Sequence, residues 1–130
     1  MTAEGIRRGE RVIERWDRAF GAVSAEPRRQ VVVSLMDVPA DRSVELPAAA
    51  TSPTVPANPD RLRIELRHRH LPMLAEAGYV RWEEQPFTAR RGPRFEEVSA
   101  IMAALHAYAD RLPDRLVDGC QRLTIERTGE

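Results

Sequence analysis

The stretch whose reading decides the fold is LRHRHLPMLAEAGYVRWEE, Leu66–Glu84. It opens as a basic helix, carries Pro72 inside it, and turns at Gly78 into a strand pattern. Leu71, Leu74 and Ala77 are spaced to face one core together. Gly78 can adopt the left-handed conformation that ends a helix and turns the chain sharply. YVRWEEQ then alternates, with Tyr79, Arg81 and Glu83 on one side and Val80, Trp82 and Glu84 on the other. Pro72 removes the amide bond back to residue 68. Two readings stay open there. The helix kinks and angles its basic half away, or Pro72 sits in the first turn of a second helix after a break at His70–Leu71.

Outward from this stretch the pattern is mostly helical. Residues 4–23 carry Val12, Ile13, Trp16, Ala19, Phe20 and Val23 at spacings of an amphipathic helix. SAEPRRQVVVSLMDV has three valines that favour a strand, yet Pro27 suits a first helical turn and Ser24 or Glu26 a cap. Val31, Val32, Leu35 and Met36 then share one face, which favours helix. SVELPAAAT has room for one short helix, and SPTVPANP, with three prolines in eight residues, reads as a loop. Asp60 is placed to cap a helix that runs to Gly78. PFTARRGPRF is turn-rich and allows a returning strand near Phe87–Arg90, with the loop somewhere in 84–93. Val98, Met102, Leu105, Ala109 and Leu112 form a heptad-like stripe over 96–112, stopped by Pro113. Trp16 and Trp82 read as core aromatics.

The predicted order is helix, helix, short helix, helix, β-hairpin, helix. In a chain this small that is the order of a winged helix-turn-helix domain, an α+β fold that is mainly helical. The expected organisation is a core over 1–92 with an N-terminal helical extension, and a C-terminal helix and tail over 93–130 that dimerises. HLPMLAEAGYVRWEE resembles the segment that ends the recognition helix and begins the wing in ArsR-like winged-helix proteins. RHRHLPMLAEAGYVRWEE, with Pro72 after His-Leu, is more similar still to a winged-helix domain family of unknown function common in haloarchaea. DRAFGAVSAEPRRQVVVSLM resembles the opening of that same family, and the matches together cover roughly residues 16–92. The resemblance implies a recognition helix near 60–77 and a wing near 84–94.

Arg61, Arg63, Arg67, His68, Arg69 and His70 are the candidate DNA-binding residues of that helix. On a regular helix Arg63, Arg67 and His70 share one face, and Arg61, Glu65 and His68 another. Arginine can pair bidentately with guanine in the major groove and contact phosphates. Arg90, Arg91 and Arg94, around Gly92 and Pro93, are placed at the hairpin tip, where a wing touches phosphate or the minor groove. The bland alternative for both clusters is a solvated basic surface. Val98, Ile101, Met102, Leu105, Tyr108 and Leu112 are the candidate dimer interface, since a two-fold pair doubles the DNA contact of one small domain; the alternative is that Val98–Leu112 packs only on its own domain, which leaves a monomer. One departure stands against this reading. The region that should brace the recognition helix is short and proline-interrupted, so either that helix is reduced to Leu46–Thr51 or the motif is degenerate.

Composition sets the outer limits. The 130 residues hold 42% hydrophobic side chains, enough for one small core. Twenty basic residues, all Arg, balance twenty acidic ones. A neutral total argues mildly against a nucleic-acid binder. No apolar run approaches the length of a membrane span, no secretory signal is evident, and a cytoplasmic location is expected. Cys120 is the only cysteine. His68 and His70 are two apart, which points them away from each other on a helix, so no metal site is expected. No phosphate loop or nucleophile motif is present, so neither an enzyme nor a cofactor is expected. The expected partner is double-stranded DNA. The runner-up is a winged-helix module that binds protein and not DNA.

Overall fold

The structure, a computed structural model, describes residues 2–128. Two helices open it, α1 (Ala3–Ala22) and α2 (Glu26–Met36). A two-residue strand, β1 (Val44–Glu45), leads into a 3-10 turn at Ala48–Ala50. After the proline-rich loop come α3 (Pro59–Glu65) and α4 (Leu71–Glu76), joined without a break by a π-turn over Leu66–His70. The hairpin strands are β2 (Val80–Glu84) and β3 (Phe87–Arg91). Then follow α5 (Phe95–Ala107), a 3-10 turn at Ala109–Arg111, and two short helices, α6 (Asp114–Val117) and α7 (Gln121–Thr128). The fold is α+β and mainly helical, as the sequence pattern predicts. Among the described residues no helix is long and apolar enough to cross a membrane.

The three strands form one antiparallel sheet in the order β1–β3–β2. Val44 faces Ala89 across β1 and β3, and Val80 faces Arg91 across β2 and β3. A strand of two residues has no period to read, and β1 is absent from the sequence-based prediction for that reason. The core lies under the sheet, among α2, α3, α4 and α5. Val31, Leu35, Leu66, Leu74, Tyr79 and Val98 are fully buried there. The valine run of α2 is helical because Pro27 occupies its first turn and the apolar face meets this core. Ser24 does not cap α2. Its hydroxyl donates instead to the Gly21 carbonyl, at 2.7 Å, and closes α1. Asn58, and not Asp60, caps α3: its side-chain oxygen accepts from the amides of Asp60 and Arg61.

Pro72 has neither of the two predicted consequences in full. It does lie in the first turn of α4, yet the backbone stays helical through His70 and Leu71. The ladder widens instead. The Leu71 amide reaches back five residues to the Leu66 carbonyl, which absorbs the bond that Pro72 cannot make. The wider turn also shifts the helical phase. Leu62, Leu66, His70, Leu71 and Leu74 all become buried on one side.

Gly78 ends α4 as expected. It sits at φ +83, its amide donates to the Ala75 carbonyl, and the Tyr79 amide donates to the Leu74 carbonyl, the paired closure of a Schellman motif. The hairpin then returns to the same place. The Gly92 amide donates to the Tyr79 carbonyl at 2.9 Å, and the Arg94 amide to the Gly78 carbonyl at 2.8 Å. A Cβ on Gly92 would lie 2.5 Å from the Gly78 oxygen. Glycine is therefore required there for space. Replacing it with Ala (Gly92→Ala) is expected to cost about 1–3 kcal/mol in urea unfolding, because the obstacle is backbone. At Gly9, where nothing lies within 4 Å, Gly9→Ala should instead raise stability by about 0.5–1 kcal/mol. Equal effects at the two glycines would contradict the close approach at Gly92.

Candidate functional site

The basic helix carries two kinds of residue. Arg61, Arg63, His68 and Arg69 are exposed, with Arg61 and Arg63 on either side of the buried Leu62. Arg67 is half-buried, with its guanidinium carbon 5.5 Å from the centre of the Phe87 ring. Its Nε is buried without a hydrogen-bond partner. His70 is not on the outer face with Arg63 at all. It is buried at 3% exposure, because the π-turn rotates it inward.

His70 meets Arg28 of α2, itself only 6% exposed. Arg28 Nη1 lies 2.8 Å from His70 Nδ1. Arginine can only donate, so Nδ1 accepts and the ring proton sits on Nε2. Nε2 points toward the Glu65 carboxylate at 4.0 Å. Burial first, then the charges of Arg28 and Arg69, hold the imidazole pKa below its ordinary value, and Glu65 opposes them. The ring is therefore neutral, and its approach to Glu65 is no ion pair. The same Arg28 also donates through Nε to the Ala22 carbonyl at 2.8 Å, and through Nη2 to the Gly21 carbonyl and Ser24 Oγ. One guanidinium thus closes the end of α1 and fastens the basic helix to α2.

The hairpin differs from its prediction. Its tip is Gln85–Pro86, between Glu84 and Phe87. Arg90, Arg91 and Arg94 stand at its base. Only the first and last of these are exposed, and the Arg94 side chain lies over Gly78. Arg91 is committed to the fold: it donates to the Leu35 carbonyl at 2.9 Å and the Val38 carbonyl at 3.0 Å, and lies over the Phe95 ring. It thereby satisfies carbonyls at the end of α2 that a helix leaves open. Gly92 and Pro93 read as a tip from composition, but they mark the turn from β3 into α5. The strand end nearest the tip carries exposed Glu83 and Glu84.

The C-terminal stripe also divides. Val98 and Met102 are buried in the chain's own core, and Ile101 is half-buried against it, so Val98 and Met102 cannot face a second subunit. Leu105 and Tyr108 are exposed. Leu112 lies beyond the helix, which ends at Ala107 and not near 112. Here Arg127 of α7 donates to the Ala109 and Leu112 carbonyls. Trp82 packs edge-on against Phe87 beside the core, but Trp16 is exposed, stacked on Phe20 at 5.6 Å between ring centres. Tyr79 is fully buried, and its hydroxyl has no hydrogen-bond partner. Burial, and then the charge of Glu97, push its pKa up. Among the described residues no group of three or more His, Cys, Asp or Glu is placed to hold a metal ion.

No protein-family model, curated protein or solved structure matches the chain.

The Arg28–His70 contact makes stability depend on pH. The folded-state pKa of His70 is depressed, so the unfolded chain binds the extra proton first. The contribution is fully present above the unfolded value of about 6.5 and is lost as pH falls through that value toward the lower folded one. The slope from this one group is at most about 1.4 kcal/mol per pH unit. Urea unfolding from pH 7.5 to 5 should show this loss in the native chain and a flatter profile in His70→Asn. Parallel profiles would assign the dependence elsewhere.

Proposed function

We propose that the protein is a winged helix-turn-helix DNA-binding regulator whose contact surface is the basic helix alone. The order α2, β1, 3-10 turn, α3–α4, β2, β3, with sheet order β1–β3–β2, supports the winged-helix reading. The bracing helix of such a motif corresponds to Ala48–Ala50, held to α2 by the Ser34 hydroxyl on the Ala49 carbonyl at 2.8 Å. The observation that carries the DNA reading is the exposed set Arg61, Arg63, His68 and Arg69 on a helix anchored in the core through Leu62, Leu66 and Leu74.

The chemistry of this set favours phosphate. Three exposed arginines along one helix neutralise backbone charge whatever the sequence, and any of them that enters the major groove can reach a guanine edge. With the bracing helix reduced to one turn, positioning of base contacts is weaker than in a full motif. The hairpin adds no positive tip. Glu83 and Glu84 near that tip repel phosphate, and this observation favours the second reading, a module that docks on a protein partner.

The two readings separate in one titration. Fluorescence anisotropy with genomic fragments at about 50 mM salt should show binding, with a log–log salt slope of about −3 for three neutralised phosphates. Arg61→Ala and Arg69→Ala should each weaken it several-fold. Arg91→Ala should act differently, lowering unfolding stability by about 1.5–3 kcal/mol through the lost charged hydrogen bonds. Absence of binding at that salt rejects the DNA reading and leaves the protein-docking one.

A further inference from the structure

The Arg28–His70 joint sits directly behind the exposed basic set. His68 and Arg69 share the π-turn with His70, and Arg61 and Arg63 lie about two turns earlier on the same helix. Arg28 ties that helix to the α1–α2 corner, since its other nitrogens hold the Gly21 and Ala22 carbonyls and Ser24 Oγ. Leu62, Leu66 and Leu74 anchor the remainder in the core. We propose that this joint is an acid-released latch on the basic helix: a proton on His70 Nδ1 parts it from Arg28 and lowers the affinity for DNA. The effect on affinity rests on the DNA reading; the latch itself does not.

The groups around the ring explain why a proton opens the joint. Arg28 has no acceptor, so a protonated Nδ1 sets N–H against N–H across 2.8 Å, cation against cation. Arg28 faces the ring from α2, buried at 6% exposure, and Arg69 adds positive charge from the ring's own helix. Against them stands Glu65, 4.0 Å from Nε2, but its side chain is 44% exposed and screened by water. Arg29, next to Arg28 in sequence, turns away to the Val23 carbonyl and Glu26. The end of α1 presents the Gly21 and Ala22 carbonyls, which bind Arg28 and not the ring. Opening lets the imidazolium reach water, where its pKa returns to about 6.5. Below that value one proton raises the opened fraction by up to about tenfold per pH unit.

The direction separates a latch from a plain basic surface. Acid adds charge to the exposed His68 and so strengthens phosphate binding. Release of the joint works the other way, because it moves His68 and Arg69 out of line with Arg61 and Arg63.

Two measurements test this. Anisotropy with a duplex genomic fragment at about 50 mM salt gives the ratio of affinities at pH 5 and pH 7.5. His70→Asn keeps an acceptor for Arg28 but takes up no proton, so its affinity should rise on acidification. The native ratio should fall below that of His70→Asn by about threefold or more, and Glu65→Gln, which removes the charge favouring the imidazolium, should lower it further. Amide exchange reads the latch without DNA. Protection at Leu71, whose amide donates within the π-turn, should drop several-fold between the same pH values in the native chain and not in His70→Asn. Protection at Gly92, whose amide donates to the Tyr79 carbonyl in the hairpin, should hold. Equal losses at Leu71 and Gly92 mean global unfolding and overturn the latch. So does a native affinity ratio equal to that of His70→Asn. A chain that loses protection at Leu71 alone, yet binds no DNA at either pH, rejects the DNA reading and with it the regulation.

Discussion

The structure turns on one buried contact, Arg28 to His70, 2.8 Å between Nη1 and Nδ1. A charged guanidinium at 6% exposure is costly unless nearly every N–H is used. Here three nitrogens of Arg28 donate to the carbonyls of Ala22 and Gly21, to Ser24 Oγ and to the imidazole. The arrangement works only while His70 is neutral and its Nδ1 carries no proton. Protonation would set a second cation against Arg28, with Arg69 adding to the repulsion and only Glu65 opposing it. Three elements meet at this joint, namely the end of α1, the start of α2 and the π-turn of the basic helix. Two separate sequence stretches, DRAFGAVSAEPRRQVVVSLM and RHRHLPMLAEAGYVRWEE, supply Arg28 and His70 respectively.

The π-turn is what makes that contact available. On a regular helix His70 would lie with Arg63 and Arg67. Pro72 cannot donate to residue 68, and the chain answers by widening one turn, with Leu71 donating to Leu66. That rotation brings His70 inward to Arg28 and leaves Arg61, Arg63, His68 and Arg69 outside. The residue that looked like a flaw in the helix therefore separates its structural histidine from its exposed basic set. At the far end of the helix, Gly78 and Gly92 bring the two hairpin strands back onto the same closure, so the helix is held at both ends.

Much of this was legible from the chain. The helix order, the Gly78 closure and the hairpin after it follow from periodicity and turn chemistry, which act locally. Three things were not legible, each for a physical reason. A hydrophobic stripe has the same period whether it meets its own core or a separate surface, so Trp16 read as core although it is exposed, and Val98 and Met102 read as interface although they are buried. Gly92 and Pro93 carry the composition of a tip, but their role is a strand-to-helix corner where backbone approaches backbone. The destination of a long arginine is set by tertiary carbonyls far away in sequence. Arg91 finds Leu35 and Val38, and Arg28 finds Ala22 and His70, at distances no local pattern encodes.

What remains of the candidate site after these corrections is smaller and better defined than the sequence suggested. Its outer residues depend on the inner joint, because the helix that presents them is anchored through His70. The most direct measurement of that joint is the protonation state of the imidazole, followed through its ring nitrogens by NMR across a pH titration. The account predicts an Nε2–H tautomer with an unprotonated Nδ1, titrating below the ordinary histidine value of about 6.5. A proton on Nδ1, or a titration at or above that value, would contradict it.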